Sequence, residues 1–506
     1  MTGYFTIAHN DEVYTSILTK CSTIPERVYW KWFLRLSEIP RPSYHCLPFS
    51  DWVLSQAKSL HLEACRDKSN NVCVHIPSSK GYEAAPAVIL QAHMDMVASV
   101  IEGKDFDFTT TPITVLFKDK VLCADGTTLG ADDGAGMASL FSVMELHDTF
   151  LHPKVECLFT TDEEPGLLGA IELKEGELFE SAKYLINVDS EDWGELCVSS
   201  AGCAQRNMTH QITRTCATGD LVEIKVDNFV GGHSGGEIHK QRASALKWLV
   251  ALVLQTNAIQ QDIKLVQFSA GHTDNAIPMK GVMSLILPNG EEYMKKAKEY
   301  HTALCTLYKG AENEEGPKLD IKVTQNVTMN ALTLTDSVNF LYLLKDIPHG
   351  VIKFSDDVPD LVETSNSLSI GKIDDDKTFI CTLSRSADNN HLAEVVQSIE
   401  ILAKFHKYVI EVPTPDIGGW PAAVASKLVE ETKKTYKELY GQDMKVMAIH
   451  AGLENSIVLN QYPNMKLESI SIGPTCKDVH TPQETIEIES GNKLLDLVFA
   501  LLSKLN

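Results

Sequence analysis

No Cys-x-x-Cys pair occurs in the chain, although twelve cysteines do, scattered singly at 21, 46, 65, 73, 123, 157, 197, 203, 216, 305, 381 and 476. That distribution argues against a disulfide framework and reads as free thiols in a reducing compartment. Basic residues are in deficit: 45 Lys and Arg face 68 Asp and Glu, a net charge of -23. No basic stripe is available to displace phosphate counterions, so no nucleic acid partner is expected. No apolar run approaches the ~18 residues of a membrane span, and MTGYFTIAHNDE has neither the basic nor the apolar region of a signal peptide. The expectation is a cytoplasmic protein with no membrane partner. Internal repeats and low-complexity tracts are also missing. What remains, 506 residues at 44% hydrophobic content, is too much for one ordinary core and favours two domains.

Apolar runs of strand length punctuate the first 200 residues: AVILQAH (87 to 93), VECLFTT (155 to 161) and AKYLINV (182 to 188), with the helical pattern MASLFSVMEL (137 to 146) between the first two. Near-continuous apolar strands separated by helices indicate a largely parallel sheet covered on both faces. From about 204 the period changes to shorter strands and amphipathic helices with polar insertions such as AENEEGPK and DDDK. A final helix-strand-helix stretch then follows. The expected organisation is a catalytic domain of 1–203 and 409–506 interrupted by an inserted domain of 204–408.

Five metal-type ligands fall at the ends of expected strands or in the turns beside them: His93, Asp132, Glu164, Asp189 and His480. Two histidines and three carboxylates are the inventory of a two-metal hydrolytic centre, and the carboxyl ends of parallel strands are where such a sheet holds ligands. In QAHMDMV, His93 and Asp95 are two apart on a strand and share a face, so Asp95 can accept the imidazole N–H that the metal does not need. Adjacent Glu163 and Glu164 at a strand end point to different sides, so one can ligate metal while the other faces substrate. Asp132 lies in the Gly-rich turn LGADDGAGMA, and His480 follows a Gly-Pro turn. Glu163 has the chemistry of a base.

The segments HMD, LGADDGAG, TTDEEPGLLGA, VDSED, FVGGHSGGEIH and SIGPTCKDVH, in that order, resemble the aminoacyl-histidine dipeptidase branch of the aminoacylase/carboxypeptidase G2-like zinc metallopeptidase superfamily. IPRPSYH and AIHAGLE also resemble that branch. The resemblance implies an α/β catalytic domain with a central mixed sheet flanked by helices, plus an inserted α+β ferredoxin-like lid domain used for homodimerisation. It implies two zinc ions, replaceable by manganese or cobalt. Asp132 bridges them, His93 and Asp189 complete one site, and Glu164 and His480 complete the other.

The reaction so implied is hydrolysis of unblocked dipeptides, the Xaa-His type among them. Glu163 takes a proton from the attacking water and gives it to the leaving amine. His233, in the glycine-flanked FVGGHSGGEIH, matches the histidine that reaches the substrate carbonyl. Arg385 and Asn275 match the residues that receive the C-terminal carboxylate, a task suited to a planar guanidinium. His450 and Glu454 are placed either near the substrate's ammonium end or in a buried role, capping a helix or supporting the metal ligands from behind. Two positions depart from the branch: Asp274 where arginine is usual, and Asp133 where asparagine is usual. An N-acyl amino acid amidohydrolase on the same scaffold, or a metal-holding homologue without activity, are the alternatives; an intact Glu163 speaks against the last.

Overall fold

The three apolar runs form the strands Val88–His93, Val155–Thr160 and Tyr184–Asn187, each buried along its whole length. Strands apolar on both faces are stable only between covering layers. The computed structural model describes residues 9–256, 262–356 and 358–506, so positions 1–8 of the amino-terminal stretch discussed above lie outside the described residues. Two compact units divide the chain: Met1–Ser200, Trp420–Ala448 and Leu453–Asn506 form the first, and Ala201–Gly419 with Ile449–Gly452 form the second.

The first unit is built on an eight-stranded mixed sheet in the order Glu63–Arg66, Val72–Ile76, Val155–Thr160, Val88–His93, Tyr184–Asn187, Glu468–Ser471, Glu195–Ser200, Lys445–Ile449. The four strands from Val155–Thr160 to Glu468–Ser471 run parallel. Their flanks are antiparallel. Side chains alternate across the sheet. Leu90 and Ala92 enter a core shared with Trp30, Phe33, Phe141 and Leu495, which come from the helices Ile24–Ser37, Ala131–Leu146 and Ile488–Lys504. Full burial of such side chains contributes roughly 1.5–3 kcal/mol each. Trp32 stacks on Phe141 with ring centroids 4.8 Å apart. Thr23 starts the first of these helices with a reciprocal cap, its hydroxyl accepting from Glu26 N while the Glu26 carboxylate accepts from Thr23 N.

Gln91 and His93 face away from that core, and below the strand ends a polar row crosses the four parallel strands. Ser471 donates to Asn187, Asn187 Nδ2 donates to Gln91 Oε1 at 2.6 Å, and Gln91 Nε2 donates to Thr160 Oγ1 at 3.1 Å and to Glu454. Each buried donor thereby finds an acceptor, and strand register is fixed just beneath the site. Close approach also matters at Gly473, where a Cβ would lie 1.5 Å from Ser190 O, so only glycine lets this turn pack beside the residue after Asp189.

The second unit interrupts the first in sequence. Its nine-stranded sheet follows the order Lys318–Leu332, Arg214–Asp227, Gly281–Leu287, Lys264–Ala270, Val362–Ile373, Lys377–Ser386, Gly202–Gln211, Val409–Glu411, with Gly350–Phe354 added beside Val362–Ile373. Its pairings are antiparallel. The helices Ala245–Leu254, Gly290–Leu307, Leu334–Asp346 and Asn389–Phe405 contribute Leu249, Tyr293, Phe340 and Ile399 to one core with Phe268 and Met283. The unit extends beyond the expected 204–408 because Val409–Glu411 pairs with Gly202–Gln211 and Ile417 bridges Cys203. Among the described residues no helix is long and apolar enough to cross a membrane.

Candidate metal centre

His93 closes the strand Val88–His93, and carboxylates stand on both sides of its ring. Nε2 lies 2.9 Å from Asp132 Oδ1 and 3.5 Å from Asp189 Oδ1, while Nδ1 lies 3.4 Å from Asp95 Oδ1. His480 Nε2 lies 2.9 Å from the other Asp132 oxygen, Oδ2, and 3.0 Å from Glu164 Oε2. Asp132 therefore turns one oxygen toward each histidine. His93 with Asp189 and His480 with Glu164 form two half-sites that share this carboxylate.

These separations suit metal ions. Four ligands around an ion with bonds near 2.0–2.1 Å stand roughly 3.3 Å apart, and the observed 2.9–3.5 Å brackets that value. Glu164 Oε1 is buried with no hydrogen-bond partner, a costly state that a bound cation would relieve. The five residues thus fit a pair of metal ions by donor type, spacing and the orphaned oxygen. Asp133 also lies close enough to His93 and Asp189 to form a ligand group with them. Its oxygens, however, accept from Gly136 N at 2.8 Å and His93 N at 3.2 Å, so the added carboxylate is taken up by backbone donors.

The loops that carry the ligands are fixed by residues with no ligand role. Glu484, buried and four positions after His480, accepts from Leu129 N at 2.7 Å, Gly130 N at 2.9 Å, Ala131 N at 2.7 Å and Asp132 N at 3.3 Å. These amides precede or begin the helix Ala131–Leu146, where Asp132 and Asp133 are still non-helical and joined by a cis peptide bond. Such N–H groups have no partner within the helix, and an anion is their natural acceptor. Arg41 donates to Met94 O, Asp95 O and Gly130 O at 3.1, 2.7 and 2.5 Å, tying the end of the His93 strand to the Asp132 loop. Asp95 accepts from Glu163 N at 2.9 Å, Glu164 N at 3.3 Å and Ser43 Oγ at 2.8 Å, so one carboxylate orients His93 and both glutamates. Arg41 and Glu484 escaped assignment from sequence. The available signal was a Gly-rich turn whose exposed amides required an acceptor.

Electrostatics at the centre show an excess of negative charge. Burial pushes Glu163 well above the ordinary carboxyl range, opposed by His93 and reinforced by Asp189, Glu454 and Asp132. Burial likewise raises Asp189 to about 7. His480 is raised to about 11 by its hydrogen bonds to Asp132 and Glu164. Glu454 is fully buried and accepts from Thr160 Oγ1 at 2.7 Å and from Gln91. Its carboxylate thus supports the strands beneath the ligands and does not cap the helix Glu454–Gln461, and none of its surface is open to a substrate.

In the second unit, His233 pairs with Ala276 in a two-residue ladder, and Ser234 N donates to Asn275 O at 2.8 Å, so His233 and Asn275 are neighbours. The Nδ1 of His233 accepts from Gly236 N at 2.9 Å, which leaves Nε2 as its free ring nitrogen. Gly235 packs so closely that a Cβ there would lie 2.4 Å from His450 O and 3.0 Å from Arg385 Nε. Arg385 is buried, and its Nε has no hydrogen-bond partner among the described residues. His450 Nε2 lies 2.7 Å from Ser365 Oγ, and its ring is pushed down to about 3 by burial and then by Arg385. His233, Asn275, Arg385 and His450 thus gather in one region of this unit.

The family model for Peptidase family M20/M25/M40 matches residues 89–504. The chain is 31% identical over 490 residues to the cytosol non-specific dipeptidase of Escherichia coli K12, covering 96% of this chain and 99% of that protein. Among solved structures it is similar to the aminoacylhistidine dipeptidase of Vibrio alginolyticus, with 31% identity, a TM-score of 0.86, and 97% and 98% of the two chains covered. It also shares its fold with aminopeptidase PepT of Bacillus cereus, at 16% identity and a TM-score of 0.54 over 95% and 98% of the chains.

Glu484→Gln should weaken metal binding about 10–100-fold, as loss of an outer-shell carboxylate usually does. Overall fold by circular dichroism should be unchanged. Competition against a chelator measures the affinity, and a wild-type value would show that Glu484 does not position Asp132.

Proposed function

The chain belongs to Peptidase family M20/M25/M40, and from that membership we propose that it is a two-metal dipeptidase acting on unblocked dipeptides. The observation that carries the reading is Asp132, whose two oxygens each stand 2.9 Å from a different histidine. The Escherichia coli relative named as a cytosol non-specific dipeptidase and the Vibrio alginolyticus structure named as an aminoacylhistidine dipeptidase support the substrate class. They also support a preference that includes Xaa-His, and a cytoplasmic location in keeping with twelve free cysteines.

Zinc is the proposed metal, with manganese or cobalt as substitutes; the pair would supply a water of pKa near ~7 and a Lewis acid for the carbonyl. His93, Asp132, Glu164, Asp189 and His480 would hold it. Glu163 is the proposed base. Its backbone is anchored by Asp95 and its carboxylate is not needed as a ligand, which suits a group that takes a proton from water and passes it to the leaving amine. Asp95 keeps the His93 ring oriented from the Nδ1 side. His233 Nε2 is the proposed donor to the carbonyl oxygen as negative charge develops. Arg385, with Asn275, is the proposed anchor for the C-terminal carboxylate, since a buried guanidinium with an unused Nε gains most from an anionic ligand.

Homodimerisation through the second unit is part of the same proposal. Its sheet ends at the strand Val409–Glu411, and Phe405, Val409 and Ile401 are 79%, 70% and 59% exposed beside that edge. An apolar open edge is a ready surface for a second copy.

Glu163→Gln should retain both metals while turnover falls by at least the ~10²–10⁴ attributed to acid-base catalysis. Elemental analysis alongside steady-state rates checks this, and lost metal would mean that the two glutamates have exchanged roles.

Wild type should cleave a free dipeptide and reject both its N-acetyl and its C-amide forms. Arg385→Ala should mainly raise KM. Equal rates on the free acid and the amide would remove Arg385 as an anchor, and a preference for the N-acetyl form would make the enzyme a deacylase.

Phe405→Asp should convert a dimer to a monomer in sedimentation velocity. A wild-type monomer at micromolar concentration would refute this interface.

A further inference from the structure

A second set of ligand-type side chains converges in the first unit, among the antiparallel strands Glu63–Arg66, Val72–Ile76 and Val155–Thr160. Register places Cys65 opposite Cys73 and His75 opposite Glu156. Cys73 and His75 are two apart on one strand, so they and their cross-strand partners share one face of the sheet. The ligand atoms come together: His75 Nδ1 is 2.5 Å from Glu156 Oε2, and Cys73 Sγ is 3.7 Å from that oxygen and 4.0 Å from Nδ1. Cys73 and Glu156 are fully buried. The His75 side chain, 25% exposed, opens with Glu156 onto a cavity of about 730 Å³ that is also lined by Cys65 and Lys154.

We propose that Cys73 Sγ, His75 Nδ1 and Glu156 Oε2 form a further metal site, for a thiophilic divalent cation of the zinc type, with a fourth coordination position facing this cavity. Bond lengths of 2.0–2.3 Å around such an ion require ligand separations of roughly 3.3–3.6 Å. The two sulfur separations are already within a few tenths of an ångström of that range. The His75–Glu156 separation must widen, which a small rotation of the partly exposed imidazole provides.

The outer atoms of the ligands are placed as a metal site needs them. His75 Nε2 lies 3.5 Å from Cys65 Sγ, and Cys65 itself donates to Leu178 O at 3.3 Å, so its sulfur is available to accept the Nε2–H. With Nε2–H held by Cys65, Nδ1 can give up the proton it shares with Glu156 and take an ion in its place. Glu156 Oε1 faces Lys154 Nζ at 2.7 Å, which leaves Oε2 for the ion. A thiolate and a carboxylate balance a divalent charge, and the thiolate selects zinc-type ions over magnesium or calcium. The site shares no residue with the His93–His480 centre and joins the paired strands Val72–Ile76 and Val155–Thr160.

Cobalt(II) titrated into the full-length protein is the test, because thiolate-to-cobalt charge-transfer absorption requires a cysteine ligand and the centre around Asp132 has none. The expected result is such a band at one equivalent per chain, retained in Asp132→Ala and abolished in Cys73→Ser, whose dipeptide hydrolysis is unchanged. Cys65→Ala should weaken cobalt binding here about 10–100-fold by freeing the His75 ring. His75→Gln, at a side chain that reaches solvent, should also abolish the band and serves where Cys73→Ser does not fold. Absence of the band in wild type at saturating cobalt, or its persistence in either His75→Gln or a folded Cys73→Ser, overturns the proposal.

Discussion

Mutual repulsion among buried carboxylates is the constraint around which the first unit is arranged. Asp95, Asp132, Asp133, Glu163, Glu164 and Asp189 crowd the ends of its parallel strands, and two like charges 4 Å apart repel by about 4 kcal/mol at an effective dielectric constant of 20. Two imidazoles do not balance six carboxylates. The structure answers in three ways. Asp95 and Asp133 are satisfied by backbone N–H groups. Glu163 and Asp189 are raised by burial toward their neutral forms. The oxygens of Asp132 and Glu164 converge on the two histidines at distances that cations would occupy.

Holding that crowd in place falls to groups that never touch it as ligands. Glu484 gathers the amides before Asp132, Arg41 joins that loop to the His93 strand, and the row from Ser471 through Asn187 and Gln91 to Thr160 fixes the strands below. Metal ligands need placement within a few tenths of an ångström, and loops reach that only when their backbone groups are fully partnered. The buried Glu454 extends this row, which accounts for a carboxylate with no surface of its own.

The second unit answers a different problem. Its long antiparallel strand Lys377–Ser386 carries Arg385 into a buried region beside His450, where a glycine, Gly235, allows close approach. A guanidinium there, with no carboxylate partner among the described residues, is poised for an anion, whereas the first unit is poised for cations. Peptide hydrolysis needs both kinds of group, since a dipeptide presents a carbonyl to be polarised and a carboxylate to be held.

Much of this was written in local sequence. The apolar runs that lead to His93, to Glu163 and Glu164, and to Asp189 indicated the parallel strands, because a strand buried on both faces is apolar at nearly every position. The pairing of His93 with Asp95 followed from the two-residue period of a strand. Other features had no local signal. Glu484 lies more than 350 residues and Arg41 more than 50 from the amides and carbonyls they bind, the Cys73–His75–Glu156 group exists only through cross-strand register, and Glu454 could be read as a substrate contact or a buried support until the helix Glu454–Gln461 was packed. Sequence determined which residues offer ligand and acid-base groups, because donor type and strand period are local properties. Tertiary structure alone decided which backbone groups hold them and which carboxylates meet, because those partners are chosen by packing between segments far apart in the chain.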